Sequence, residues 1–264
     1  MARGLISRAS RALLLAFLGV IPAFAGTTWP LQPQPLKGGV EFQSAETRAL
    51  QADDFGNPGM LWVTRGERLW SQNRGAAANA CESCHADARK SMKGVAARYP
   101  RQGGGQVMNL EQRINACVTA NQKAPALAWE SEELLSLAAY VARQSRDMPI
   151  AVAIDGPARE TFERGRTLYF ERQGQLNLAC TQCHDANWGR TLLAEKVSQG
   201  HPADWPAYRL EWQTLGSLQR RLRACYFGVR AELPQFGSPE LIALELYLAA
   251  RAKGLPLSVP GVRR

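Results

Sequence analysis

The sequence predicts an all-α protein made of two tandem domains related by internal duplication. One observation is a pattern that occurs twice. Gly66-Glu67-Arg68-Leu69-Trp70 precedes Cys81-Glu82-Ser83-Cys84-His85. Gly165-Arg166-Thr167-Leu168-Tyr169 precedes Cys180-Thr181-Gln182-Cys183-His184, at a shift of 99 positions in both parts. Leu110 to Cys117 then matches Leu218 to Cys225 at a shift of 108, so the second copy carries nine additional residues in between. Glu133 to Val141 matches Glu240 to Leu248 at a shift of 107. The other observation is period. Apolar residues recur at helical spacing, and no run of alternating β-branched residues reads as a strand.

Each element follows from its residues. Leu215, Leu218, Leu222 and Cys225 are spaced 3, 4 and 3, one face of a helix, and Leu110, Ile114 and Cys117 repeat the 4 and 3. Glu132 to Val141 is rich in leucine and alanine and free of glycine and proline. Ser238-Pro239-Glu240 starts the last helix with a cap and a proline at its first position. It ends near Gly254, with Pro256 just beyond. The copies divide near Met148 to Pro157, where Pro149, Gly156 and Pro157 cluster. The predicted domains are therefore 60–148 and 149–264. Residues 26–59 form a proline- and glycine-bearing extension expected to wrap the first domain.

Residues 1–25 read as a secretory signal. Arg3, Arg8 and Arg11 give a positive start, Ala12 to Ile21 is an apolar run, and Ala23-Phe24-Ala25 is a cleavage site. The apolar run is shorter than the ~20 residues that span a bilayer. The mature protein is thus expected in the periplasm with no membrane span. Loss of the three arginines lowers the formal charge from +9 to +6. Export excludes nucleic acid as the partner of this basic surface, leaving a small anion or an acidic protein. With 45% hydrophobic and 21% charged residues, the chain is neither disordered nor a multi-span membrane protein.

Cys-x-x-Cys-His is the attachment signature of c-type haem. Cys81 and Cys84, and Cys180 and Cys183, would bind the vinyl groups, and His85 and His184 would be the proximal iron ligands. Two covalently attached haems then use four of the six cysteines and two of the three histidines. A redox-active Cys-x-x-Cys expects a βαβ setting. A zinc site does not explain why histidine directly follows both pairs. The predicted domains are accordingly of the cytochrome c type.

The second axial ligand follows by elimination. Cytochromes c commonly use methionine or histidine there. Met92 and Met108 are available to the first haem, but no methionine follows Met148, so the second copy has none. His201 and Cys225 remain, and only Cys225 has a counterpart, Cys117. The reading is His85 with Cys117 and His184 with Cys225, each an imidazole–thiolate pair that favours ferric iron. A Cys117–Cys225 disulfide is the competing use of the two thiols. Arg221 precedes Cys225 by one helical turn, where a guanidinium lowers the thiol pKa and offers a fork to an oxyanion. Arg113 keeps the same offset from Cys117. Arg220 and Arg223 point to solvent or haem propionates, and His201 is structural or at the surface. Cys225 and Arg221 are the candidate catalytic residues.

With these motifs, and with Tyr208-Arg209-Leu210-Glu211-Trp212 leading to Arg221-Leu222-Arg223-Ala224-Cys225-Tyr226, the chain resembles the SoxA family, dihaem subunits of the SoxAX complex. The resemblance implies an L-cysteine S-thiosulfotransferase that works with a SoxX-like cytochrome. It would join thiosulfate oxidatively to a cysteine of a SoxYZ-like carrier, passing two electrons through haem. It implies that Cys225 is catalytic and carried as a persulfide, that Arg221 binds substrate, and that Cys117 is the distal ligand of the first haem. Two other readings stand beside it: a dihaem thiosulfate dehydrogenase that makes tetrathionate, and a plain dihaem electron carrier.

Overall fold

The computed structural model describes Met1 and residues 35–264. The predicted signal at 1–25 and the start of the extension lie outside the residues described after Met1. The element order is α1 (Ala45–Ala52), α2 (Met60–Ser71), α3 (Cys81–His85), α4 (Ala88–Ser91), β1 (Arg101–Gly103), β2 (Gln106–Met108), α5 (Leu110–Asn121) and α6 (Glu132–Arg143). It continues with α7 (Arg159–Phe170), α8 (Cys180–His184), β3 (Thr191–Leu192), β4 (Glu195–Lys196), β5 (Ala207–Arg209), β6 (Thr214–Gly216), α9 (Leu218–Gly228), α10 (Pro239–Arg251) and β7 (Gly261–Arg263).

Two helix pairs form the core, α2 on α6 and α7 on α10. Both are built around a glycine. A Cβ on Gly66 would stand 2.1 Å from the Ser136 carbonyl oxygen, and one on Gly165 would stand 2.0 Å from that of Ala243. Only a residue without a side chain lets the backbones approach so closely. Tyr140 and Tyr247 pack beside the two contacts. The helix starts follow the expected capping chemistry. Asn109 Oδ1 accepts the Gln112 amide at 2.9 Å, and Ser217 Oγ accepts that of Arg220 at 3.1 Å. Ser238 caps α10 ahead of Pro239. Leu241 to Arg251 is buried along its whole length, which makes α10 the central helix of its half.

The all-α expectation needs correction. Helices dominate, but the described residues also form three small sheets: β1–β2 and β3–β4, both antiparallel, and β6–β5–β7. In the last, Ala207 to Arg209 pairs antiparallel with Thr214 to Gly216 and parallel with Gly261 to Arg263. Strands of two or three residues are too short to display an alternating pattern, and β7 exists only because the C-terminal tail returns to β5.

The extension touches the first half, where Asp54 pairs with Arg143 and, at 2.7 Å, with Arg146, and goes on to the second. It binds the C-terminal tail of the second half. Gln51 Oε1 accepts the Val262 amide at 2.9 Å, its Nε2 donates to Ser258 Oγ at 2.9 Å, and Asn57 donates to the Pro260 carbonyl at 2.9 Å. Arg263, 9% exposed, pairs with the buried Asp204. The described residues 35–264 thereby belong to one compact unit.

His201 is buried in this frame. Its Nε2 donates to Gln199 Oε1 at 3.1 Å, while Nδ1 has no partner. Burial, and then Arg251 and His184, push its pKa down to about 3. An unfolded histidine titrates near 6.5. The unfolded chain therefore binds a proton that the folded one refuses, and stability is lost as pH falls below about 6.5. Urea unfolding of the wild type and His201→Gln should show the gap between them closing from pH 7 toward pH 4. A gap independent of pH would overturn this.

Candidate active site and haem cradles

The two Cys-x-x-Cys-His segments are each a five-residue helix, α3 and α8. Each is started the same way. The Ala80 amide donates to Ser83 Oγ at 3.1 Å, and the Ala179 amide donates to Gln182 Oε1 at 2.7 Å. A tight turn precedes each helix and docks on the end of the third-cysteine helix. Ala77 donates to the Gln122 carbonyl at 3.2 Å beyond α5, and Leu176 donates to that of Val229 at 3.3 Å beyond α9. This docking sets each Cys-x-x-Cys beside the third cysteine of its own half.

The thiols report the result. All six cysteines are free, and Cys117 and Cys225 form no disulfide. Burial raises the Cys81 pKa, and Cys117 raises it further. Burial pushes Cys180 up to about 12, with Cys225 the next cause; Cys183 is raised by the same two.

The two histidines sit against their cysteines with ordered surroundings. His184 Nδ1 lies 2.8 Å from the Ser198 carbonyl, which holds that nitrogen as the donor and leaves Nε2 as a lone-pair ligand. Gly200, at φ +74°, lets the chain cross the ring: a Cβ there would be 3.0 Å from His184 Cγ. In the first half, the ring of His85 lies 5.8 Å from that of Trp70, and Trp70 Nε1 donates to the Ala86 carbonyl at 2.9 Å. Tyr169 takes the place of Trp70 in the second half and donates to Asp185 at 2.9 Å. Each half brings together two thiols and an imidazole, the groups a c-type haem takes, with a third thiol close enough to act on them; in the second half the outer imidazole nitrogen is already bonded. The residues fit that group in both halves.

Cys225 differs from the other buried thiols. Burial raises its pKa, but Arg221 first, then His184 and Arg209, more than reverse the effect and bring it from 9.0 down to about 7. The sequence-predicted residues His184, Arg221 and Cys225 thus act on one another at a single site. Met108 lies on β2, where it packs against Gly103.

The SoxA/TsdA cytochrome c domain family matches residues 65–150. L-cysteine S-thiosulfotransferase subunit SoxA of Rhodovulum sulfidophilum is 39% identical over 86% of this chain and 80% of the relative. That of Paracoccus pantotrophus is 37% identical over 91% and 81%. The chain belongs to the SoxA family. The crystal structure of SoxXA from P. pantotrophus superimposes on this SoxA-family chain with a TM-score of 0.84 at 36% identity, covering 87% of each chain. A SoxA cytochrome c domain implies haem c.

Two features of this SoxA-family site escaped the sequence reading. Arg209, 4% exposed, pairs with Glu195 at 3.0 Å and Glu211 at 2.8 Å, yet still acts on Cys225. Its only sequence signal was membership of the Tyr208–Trp212 segment. Arg220 and Arg223 are also committed differently from expectation. Arg220 stacks 4.2 Å from the Trp212 ring, and Arg223 stacks 4.5 Å from that of Phe236 and donates to the Pro234 carbonyl. They brace α9, which leaves Arg221 as the α9 arginine turned to the thiol.

Proposed function

We propose that this chain is the SoxA-type subunit of an L-cysteine S-thiosulfotransferase, and that Cys225 and Arg221 form its active site. The observation that carries the reading is the thiol of Cys225, lowered by Arg221 and His184 within a family member. Thiosulfate is a dianion with a soft terminal sulfur, so a thiolate with a guanidinium beside it suits both ends. The net reaction joins thiosulfate and a carrier cysteine thiol through a new S–S bond, releasing two electrons and one proton. Arg221 holds the sulfonate and Cys225 receives the sulfur. When bound, haem supplies one-electron acceptance, which lets the two electrons leave singly.

The finer assignments belong to the same proposal. Cys81 and Cys84, and Cys180 and Cys183, attach two haems covalently; His85 with Cys117 and His184 with Cys225 ligate the irons. The matching helix pairs around Gly66 and Gly165 support descent of residues 60–148 and 149–264 from one duplicated cytochrome c domain. A leader at 1–25 exports the chain to the periplasm. No helix among the described residues is long and apolar enough to cross a membrane. The solved relative is a SoxXA complex, which supports a SoxX-like partner; a SoxYZ-like protein is the carrier.

The test incubates the haem-loaded complex with thiosulfate and an electron acceptor, with and without a carrier that presents a free cysteine. A thiosulfate adduct on the carrier, read by intact mass, is the expected result. Tetrathionate made at full rate without the carrier would replace this reading with the dehydrogenase. Intact mass of the subunit should show two haems retained under denaturing conditions. Low-temperature EPR should show thiolate-type low-spin signals, and signals of the bis-nitrogen or His/Met type alone would remove the thiolate ligands.

A further inference from the structure

Two carboxylates stand where the halves meet and take no part in the chemistry above. Glu245, on α10, is 6% exposed, and its Oε1 accepts Asn109 Nδ2 at 3.1 Å from the cap of α5 in the other half. Glu111, in the first turn of α5, lines the same cavity as Asn109 and Glu245, together with apolar Leu110, Leu218 and Ala249. Gln219, fully buried on α9, accepts the Gly237 amide on Oε1 at 2.7 Å and turns its own amide to Glu245, where, like Asn109, it favours the ionised carboxylate against burial. Glu130 faces Glu111 from the loop before α6. Glu130 is answered by the Ser217 amide at 3.4 Å and by Arg220 and Arg223. Tyr99 closes the cavity, with Arg113, Arg101 and Arg98 acting on it. Among the described residues neither Glu111 nor Glu245 has an ion-pair partner.

Two carboxylates that share an apolar site cannot both ionise near neutrality. Burial raises both groups, Glu111 to about 7 and Glu245 to about 8, and each is raised further by a neighbouring acid, Glu130 for the first and Glu111 for the second. The site is also tied mechanically to the third cysteines. Glu111 and Cys117 are six residues apart on one rigid helix, roughly 9 Å of rise, and Gln219 and Cys225 are six apart on α9. At that range inside a protein, a unit change of charge is felt strongly by a carboxyl group.

We propose that Glu111 and Glu245 form a shared proton-binding site between the two halves, which takes up a proton from solvent when an electron arrives on the Cys117 side and releases it on reoxidation. This rests on the reading of Cys117 as an iron ligand. The balance is one electron to iron and one proton to the carboxyl pair, both returned when the acceptor oxidises the centre.

The test uses the full haem-loaded protein and the variants Glu111→Gln, Glu245→Gln and the double variant. Spectroelectrochemical titration should show the first haem's midpoint falling as pH rises through neutrality in the wild type. In the double variant this slope should flatten. Redox-difference infrared spectra should show a protonated-carboxyl band that grows on reduction and is lost in the double variant. An unchanged slope in the double variant, or no carboxyl band in the wild type, overturns the proposal. Should the double variant fail to load haem, Glu111→Gln alone must move the slope toward acid pH, because Glu245 then loses its repelling neighbour. EPR on the same samples separates the two failures. Loss of thiolate character in the wild type removes the ligand reading, whereas a thiolate-ligated centre with a pH-independent midpoint removes the proton site alone.

Discussion

Cys225→Ala should abolish thiosulfate conjugation and leave both haems covalently attached. In the proposed assignment, attachment at this site depends on Cys180 and Cys183 on α8, which the substitution does not touch, so the absorbance of the denatured protein should be unchanged. The thiolate EPR signal of one centre should vanish, while that assigned to Cys117 persists. Conjugation at the wild-type rate in this variant would falsify the role given to Cys225. Arg221 gives a graded companion. A charged hydrogen bond is worth about 1.5–3 kcal/mol, or roughly 10- to 100-fold, so Arg221→Met should weaken apparent thiosulfate affinity by that order. Arg221→Lys should recover part of it, because an ammonium keeps the charge but loses the fork. An equal loss in both variants would mean that Arg221 acts on the fold and not on the anion.

Gly165→Ala should destabilise the protein by about 3 kcal/mol, read from urea unfolding, the upper range for an overpacked core. Two effects compete. Alanine in a helix interior is favoured over glycine by about 1 kcal/mol. Against that, the new Cβ would lie 2.0 Å from the Ala243 carbonyl oxygen and 2.6 Å from its carbon. These are backbone atoms of the most deeply buried helix of the half, so they cannot rotate aside and α7 must move off α10. The clash wins. Gly228→Ala is the matched control, because a Cβ there meets nothing within 4 Å, and its stability should stay within about 1 kcal/mol of wild type. Equal effects at the two positions would refute the close-approach argument.

The family of this protein was legible from residue order because its Cys-x-x-Cys-His motifs are local. Two cysteines and a histidine in five positions need no tertiary knowledge to be recognised, and the recurrence of Cys117 and Cys225 singled them out. The helices were legible for the same reason, since their period and caps are written in neighbouring residues. The sheets were not. A two- or three-residue strand carries no period, and β7 depends on a partner more than fifty residues away.

What the sequence by itself determined is the family, the set of candidate reactive groups and the repeated pattern in which they stand. Only the tertiary structure decided which charges act on which thiol. It commits Arg220 and Arg223 to aromatic rings, turns Arg221 to Cys225, and adds Arg209 from a strand that was not foreseen. It also brings Glu111 and Glu245, 134 positions apart, to one cavity. The physical reason is one of range. Helix periods and covalent motifs act over a few residues. Burial and Coulomb forces act through space, so they depend on how distant segments pack.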